Sequence, residues 1–173
     1  MLLLKNGNVM TMAGPAFVGD VAIENGKIVA VGQSLSYSDA EVRDVTGMTV
    51  MPGIVDPHCH IGMWEDAMGF EGADGNECTN PITPELRAID AINPYDRCFE
   101  EAVAGGVTTC VTGPGSANVI GGQFVAIKTY GDSVEDMVLR FPVAVKAAFG
   151  ENPKRVYNGK NQTPSTRMAT AAL

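Results

Sequence analysis

The triplet Met51-Pro52-Gly53 divides the chain into two segments whose residue patterns call for different architectures. Ahead of it, apolar residues come in short alternating runs. Residues 2–9, 18–23 and 28–31 each read as a strand, and Glu24-Asn25-Gly26-Lys27 joins the last two. Asn-Gly between alternating apolar runs is a strong hairpin signal, because both central residues of that tight turn need a left-handed backbone. Residues 1–52 are therefore expected to form a small N-terminal β-region. Pro-Gly punctuates the chain there, and from residue 53 onward strands alternate with helices.

In the second segment, residues 53–173, the first strand is residues 54–58. Asn93 is expected to cap a helix with Pro94 at its first position, carrying the stripe Tyr95, Cys98, Phe99, Ala102 and Val103. Gly105-Gly106 ends that helix. Residues 107–112, 124–130 and 141–148 read as three further strands, and Ser133 opens a short capped helix. Thr163-Pro164 has the form of another helix start. Repeated βα units imply an α/β fold with a parallel sheet covered by helices. Four strands are half of a (β/α)8 barrel, which takes about 250 residues. The expectation is the first four strands of an incomplete barrel, in a chain truncated inside a larger fold.

Composition narrows the partners. A formal net charge of -8 argues against nucleic acid, which requires a positive face. Seven acidic residues against the single basic Arg87 fall between Met63 and Asn93, which reads as a solvated loop, with a cation-attracting lid as the alternative. Glu65 and Glu77 lie in it without an assignable role. Four cysteines form no CxxC pair, a usage that fits reduced thiols in a cytoplasm. Leu2-Leu3-Leu4 is closed by Lys5-Asn6-Gly7 too early for a signal segment, and no apolar run approaches the roughly 20 residues that span a bilayer. A soluble protein with no membrane partner is expected. The glycine-rich stretch 113–123 lacks the Gly-Lys-Ser/Thr ending of a phosphate loop; it reads as a flexible loop able to bring backbone N–H groups to a ligand.

The chemistry concentrates in Gly53-Ile54-Val55-Asp56-Pro57-His58-Cys59-His60. Residues two apart on a strand point the same way, so His58 and His60 can offer two imidazoles to one metal. Catalytic zinc favours nitrogen ligands and keeps a position open for water. His-x-His alone is weak, since such pairs are often polar neighbours. Here the motif follows an apolar strand and holds the only two histidines in the chain. Asp56 could orient a ligand from behind or simply end the strand.

A small β-region, then Pro-Gly-Ile-Val-Asp-Pro-His-Cys-His, then βα units resembles the opening of the amidohydrolase superfamily, in its imidazolonepropionase-like and dihydroorotase/hydantoinase-like branches. The resemblance covers essentially the whole chain. It implies a (β/α)8 TIM-type barrel, a β-sandwich composed from both chain ends, and one or two divalent metals that activate water. Zinc is the expected ion, with manganese or iron as alternatives. His58 and His60 would be the first ligands. The others are typically two histidines on strands five and six and an aspartate on strand eight, which acts as general base. None of those strands is within the 173 residues, so the chain alone is expected to be inactive. Binuclear members carry a carbamylated lysine on the fourth strand, which corresponds to Lys146; the plainer alternative is that Lys146 snorkels or pairs with a carboxylate. Lys128 is a weaker competitor.

The implied activity is hydrolysis of non-peptide C–N bonds in a small-molecule substrate, cyclic amides foremost, in a cytoplasmic enzyme open to homo-oligomer formation. The alternatives are a mononuclear deaminase or imidazolonepropionase-type hydrolase, a non-catalytic scaffold, and an inactive fragment.

Overall fold

Hydrophobic alternation and the Asn-Gly turn build the first unit, Met1–Pro52. In the computed structural model, which describes residues 1–66 and 68–173, it contains β1 (Leu2–Val9), β2 (Phe17–Glu24), β3 (Lys27–Gly32), β4 (Glu41–Asp44) and β5 (Thr49–Val50). They form one sheet in the order β3-β2-β1-β4, with β5 also on β1. Asn25 (φ 51°) and Gly26 (φ 71°) make the turn between β2 and β3. Both angles are left-handed, which is why Asn-Gly serves there. Leu3, Val9, Val21, Ala22 and Val45 form the buried apolar set. Asp20 is buried beside them, accepting from the backbone N–H of Asn6 (2.9 Å) and Leu35 (2.8 Å), with Lys5 Nζ 3.8 Å away.

The second unit, Gly53–Leu173, holds β6 (Ile54–Cys59), α1 (Arg97–Ala104), β7 (Val107–Thr112), β8 (Ile120–Lys128), α2 (Val134–Met137), β9 (Val138–Ala147), α3 (Glu151–Asn158) and α4 (Arg167–Ala172). The sheet order is β6-β7-β8-β9. β6 and β7 are parallel, joined through α1, but β8 is antiparallel to both β7 and β9. This corrects the expectation of four parallel strands. Residues 113–119, which link β7 to β8, are too few for a crossover of a dozen residues or more, so the chain can only turn back. As a consequence β6, β7 and β9 run one way and β8 the other.

The glycine-rich stretch also needs correcting. Its last four residues, 120–123, are not a loop but the start of β8, where Gln123 N–H donates to Leu86 O at 2.7 Å. A Cβ on Gly122 would lie 2.6 Å from that same carbonyl oxygen, so glycine serves close backbone packing here.

Helix starts move by a few residues. α1 is capped by Asp96, whose carboxylate accepts from Cys98 N–H, while Asn93 makes its own turn by accepting from Tyr95 N–H. α4 is capped by Thr166 rather than Thr163. Ser133 caps α2 as its sequence indicates.

One face of the sheet is covered. Cys110, Val125 and Ile127 pack there against Phe99 of α1 and against Met63, Ala88, Ile92 and Met137. The strand period of two sends the alternate residues Val111, Phe124, Ala126 and Lys128 to the opposite face. Behind β8, Tyr157 of α3 is fully buried and donates to Asn118 Oδ1 (2.7 Å), whose amide donates to Thr83 Oγ1 (2.7 Å). Burial pushes the Tyr157 phenol up to about 12. Among the described residues no helix is long and apolar enough to cross a membrane.

Candidate functional site

The site lies at the C-terminal end of β6, where the register with β7 is irregular between Asp56 and Cys59 and Cys59 pairs with Thr112. His58 is the fifth residue of β6 and His60 follows the strand directly. Their ring centroids are 5.4 Å apart and the ring planes stand at 81°. Both rings lie over Phe124 of β8, with centroid separations of 5.3 Å for His58 and 6.4 Å for His60. Trp64, on the segment after the strand, meets His60 edge-on at 5.5 Å.

Hydrogen bonds engage one nitrogen of each imidazole. His60 Nδ1 is 2.6 Å from the carbonyl oxygen of Gly113. A carbonyl can only accept, so Nδ1 carries the proton and Nε2 keeps its lone pair. Lys146 Nζ is 3.4 Å from His58 Nε2 and donates to it. That nitrogen is therefore also an acceptor. The codirectional arrangement of β6 and β9 brings Lys146 here, since their C-terminal ends share one end of the sheet. Gly121 faces the lysine stem, and a Cβ on it would stand 3.1 Å from Lys146 Cβ. The amine also sits 5.9 Å from the centre of the Phe124 ring.

The remaining candidates are elsewhere or locally engaged. Asp56 accepts from the backbone N–H of His58 at 3.1 Å, shaping the strand end. Lys128 donates to Thr109 Oγ1 (3.2 Å), at the opposite end of β8 from His58. Glu65 accepts from the Asn93 amide (2.9 Å), and Glu77 from Thr79 N–H and hydroxyl. On the covered side, Cys59 sits between the two histidines in sequence and is held below the ordinary thiol range, chiefly by its hydrogen bond with Cys110. The Cys110 thiol is pushed upward by the same bond and by burial. Burial also raises Cys98, to about 12. Phe124 and Trp64 were not singled out from sequence, and Gly113, the first residue of the glycine-rich stretch, contributes its carbonyl rather than an N–H. Phe124 carries no local signal, since its relation to His58 spans three strands.

Two imidazoles side by side, His60 with its Nε2 turned away from Gly113 and His58 with its Nε2 toward Lys146, fit as nitrogen ligands for a borderline metal. They are an incomplete set. Among the described residues no group of three His, Cys, Asp or Glu side chains could hold an ion. Lys146 is the third nitrogen in the cluster.

The chain matches no protein-family model. It is 36% identical over 168 residues to an amidohydrolase of Hapsidospora irregularis, covering 88% of this chain and 17% of that protein. A D-hydantoinase of Geobacillus stearothermophilus is 46% identical over 61 residues, 35% of this chain and 13% of the relative. The crystal structure of an amidohydrolase from Thermotoga maritima superposes with a TM-score of 0.95 at 48% identity, covering 99% of this chain and 45% of that one. The chain thus spans less than a fifth of the two curated relatives and just under half of the solved structure.

Proposed function

Because the chain belongs to the amidohydrolase superfamily, we propose that its protein hydrolyses a non-peptide C–N bond in a cyclic amide, and that His58 and His60 are its first metal ligands. The observation that carries this reading is the convergence of His58 Nε2, His60 and Lys146 Nζ above Phe124 at one strand end. A divalent metal, zinc foremost, would polarise the scissile carbonyl and lower the pKa of a bound water. The chain's own contribution is orientation. Gly113 O holds the His60 proton on Nδ1, and Phe124 closes the floor of the site to water.

The (β/α)8 barrel reading belongs here too, resting on β6, β7 and β9, with antiparallel β8 as a departure from the regular pattern.

For Lys146 two readings stand. Its proximity to His58 supports uptake of carbon dioxide on the amine with loss of a proton, and the carbamate would supply oxygen ligands beside the two imidazoles. Its position 5.9 Å from the Phe124 ring centre favours a free ammonium, since a cation gains by facing an aromatic ring and a carbamate does not. That favours the mononuclear alternative. Mass spectrometry under mild conditions separates them by the added mass of one carbon dioxide.

The test is hydrolysis of a panel of hydantoins, dihydropyrimidines and imidazolones by the whole protein with zinc or manganese. Turnover that needs metal and disappears in His58→Ala supports the reading. Metal-independent turnover, or turnover retained in His58→Ala, overturns it.

A further inference from the structure

We infer that Phe124 and Gly113 form a positioning unit for the two imidazoles, with Phe124 fixing the spacing and tilt of His58 and His60. The inference rests on the metal-site reading only for its purpose, since the positioning itself is a property of the chain.

Phe124 is only 3% exposed, yet it lies on the sheet face opposite the apolar core, alternating with core residues Val125 and Ile127. What covers it is the site: His58 tilted at 36°, His60 at 57°, and Lys146. The ring is thus covered by polar side chains rather than by the apolar core, and those groups gain from it. The gain is geometric. An aromatic face holds neighbouring rings at defined tilts and has no lone pair to compete for a cation or a proton.

Gly113 ties the ring to the rest of the site. A Cβ on Gly113 would fall 2.3 Å from Phe124 Cγ, so the ring lies flush against the glycine backbone. The carbonyl of the same residue accepts the hydrogen bond from His60 Nδ1. One backbone position therefore sets both the ring beneath the histidines and the tautomer of one of them. Any side chain at 113 would lift the ring or move the carbonyl.

The test uses the full chain and two readouts. The first is metal-free: with only two histidines in the sequence, the two sets of imidazole signals in ¹H–¹³C spectra are directly assignable. Phe124→Leu should remove the ring-current shift from both imidazoles, the larger change falling on His58. Gly113→Ala should alter both as well and shift His60 toward the other tautomer. The second readout is cobalt(II), titrated with its d–d absorption band as signal. Phe124→Leu should weaken binding at least tenfold and change the band shape. Val125→Ala, equally buried but facing the core, is the control for lost packing, and should leave both readouts at wild-type values.

Imidazole signals unchanged in both Phe124→Leu and Gly113→Ala overturn the positioning role whatever cobalt does. Equal effects in Val125→Ala reduce Phe124 to ordinary packing and also overturn it. Shifted signals in a wild-type chain that binds no cobalt leave the positioning supported and sink the metal reading instead.

Discussion

The Nδ1 atom of His60 sits 2.6 Å from the carbonyl oxygen of Gly113, a residue that follows β7. This contact determines which nitrogen of His60 faces outward. In the metal-free chain at about pH 8, above the usual imidazole range, long-range ¹H–¹⁵N spectra should show His60 as the Nδ1–H tautomer. An Nε2–H tautomer would remove the proposed ligand atom.

Removing either imidazole should cost metal binding more than stability. His58 is exposed and Lys146 loses only a long contact of 3.4 Å. Loss of a group that merely orients a ligand costs about 10–100-fold in affinity, so loss of the ligand itself should exceed that. His58→Ala and His60→Ala should each lower zinc affinity by more than about 100-fold, measured by chelator competition, with denaturation midpoints close to wild type. A large fall in midpoint with unchanged zinc affinity would show the pair to be structural.

How much of this was legible depended on whether the determining contact was local. Asn25-Gly26 specifies its hairpin because the backbone requirement lies in the two residues themselves. His58 and His60 announce a shared face through strand periodicity alone. The direction of β8 was not legible, because Gly113, Gly115, Gly121 and Gly122 read as one flexible loop. Gly122 is glycine because the Leu86 carbonyl lies against it, a partner no local pattern reveals. α3 was missed because Gly150 precedes it without a side-chain cap and its sequence is mostly polar. Phe124 was invisible for the same reason as Gly122: its neighbours arrive from β6 and β9.

Asp20 offers a test of the first unit. Its two oxygens satisfy two separate backbone N–H groups, one at the irregular stretch of β1 and one after β3. Asp20→Ala leaves both donors without a partner, at about 1–3 kcal/mol for each that stays buried. Asp20→Asn retains one acceptor oxygen and should cost less. Urea denaturation should rank the three proteins wild type, Asp20→Asn, Asp20→Ala in falling stability. Equal stability of Asp20→Ala and wild type would mean that water replaces the carboxylate.

Tyr157 links α3 to the segment before β8, and its titration gives stability a sign in alkali. The phenol is buried and donates to Asn118, so the neutral form is favoured in the folded chain and its pKa rises from 10.0 to about 12. A group whose folded value is raised contributes stability that is fully present below the unfolded value. That stability is lost as pH climbs toward the folded value. Stability from Tyr157 should therefore be constant below about pH 9 and fall between about pH 10 and 12. Tyr157→Phe separates this from other alkaline effects. It leaves Asn118 Oδ1 buried without a donor, costing about 1–3 kcal/mol at neutral pH, but has no proton to lose. The difference in stability between wild type and Tyr157→Phe should shrink as pH rises through that window, followed by denaturant titration at each pH. A difference that stays constant to about pH 12 would mean that the phenolate is accommodated in the folded chain, and that burial does not hold this proton.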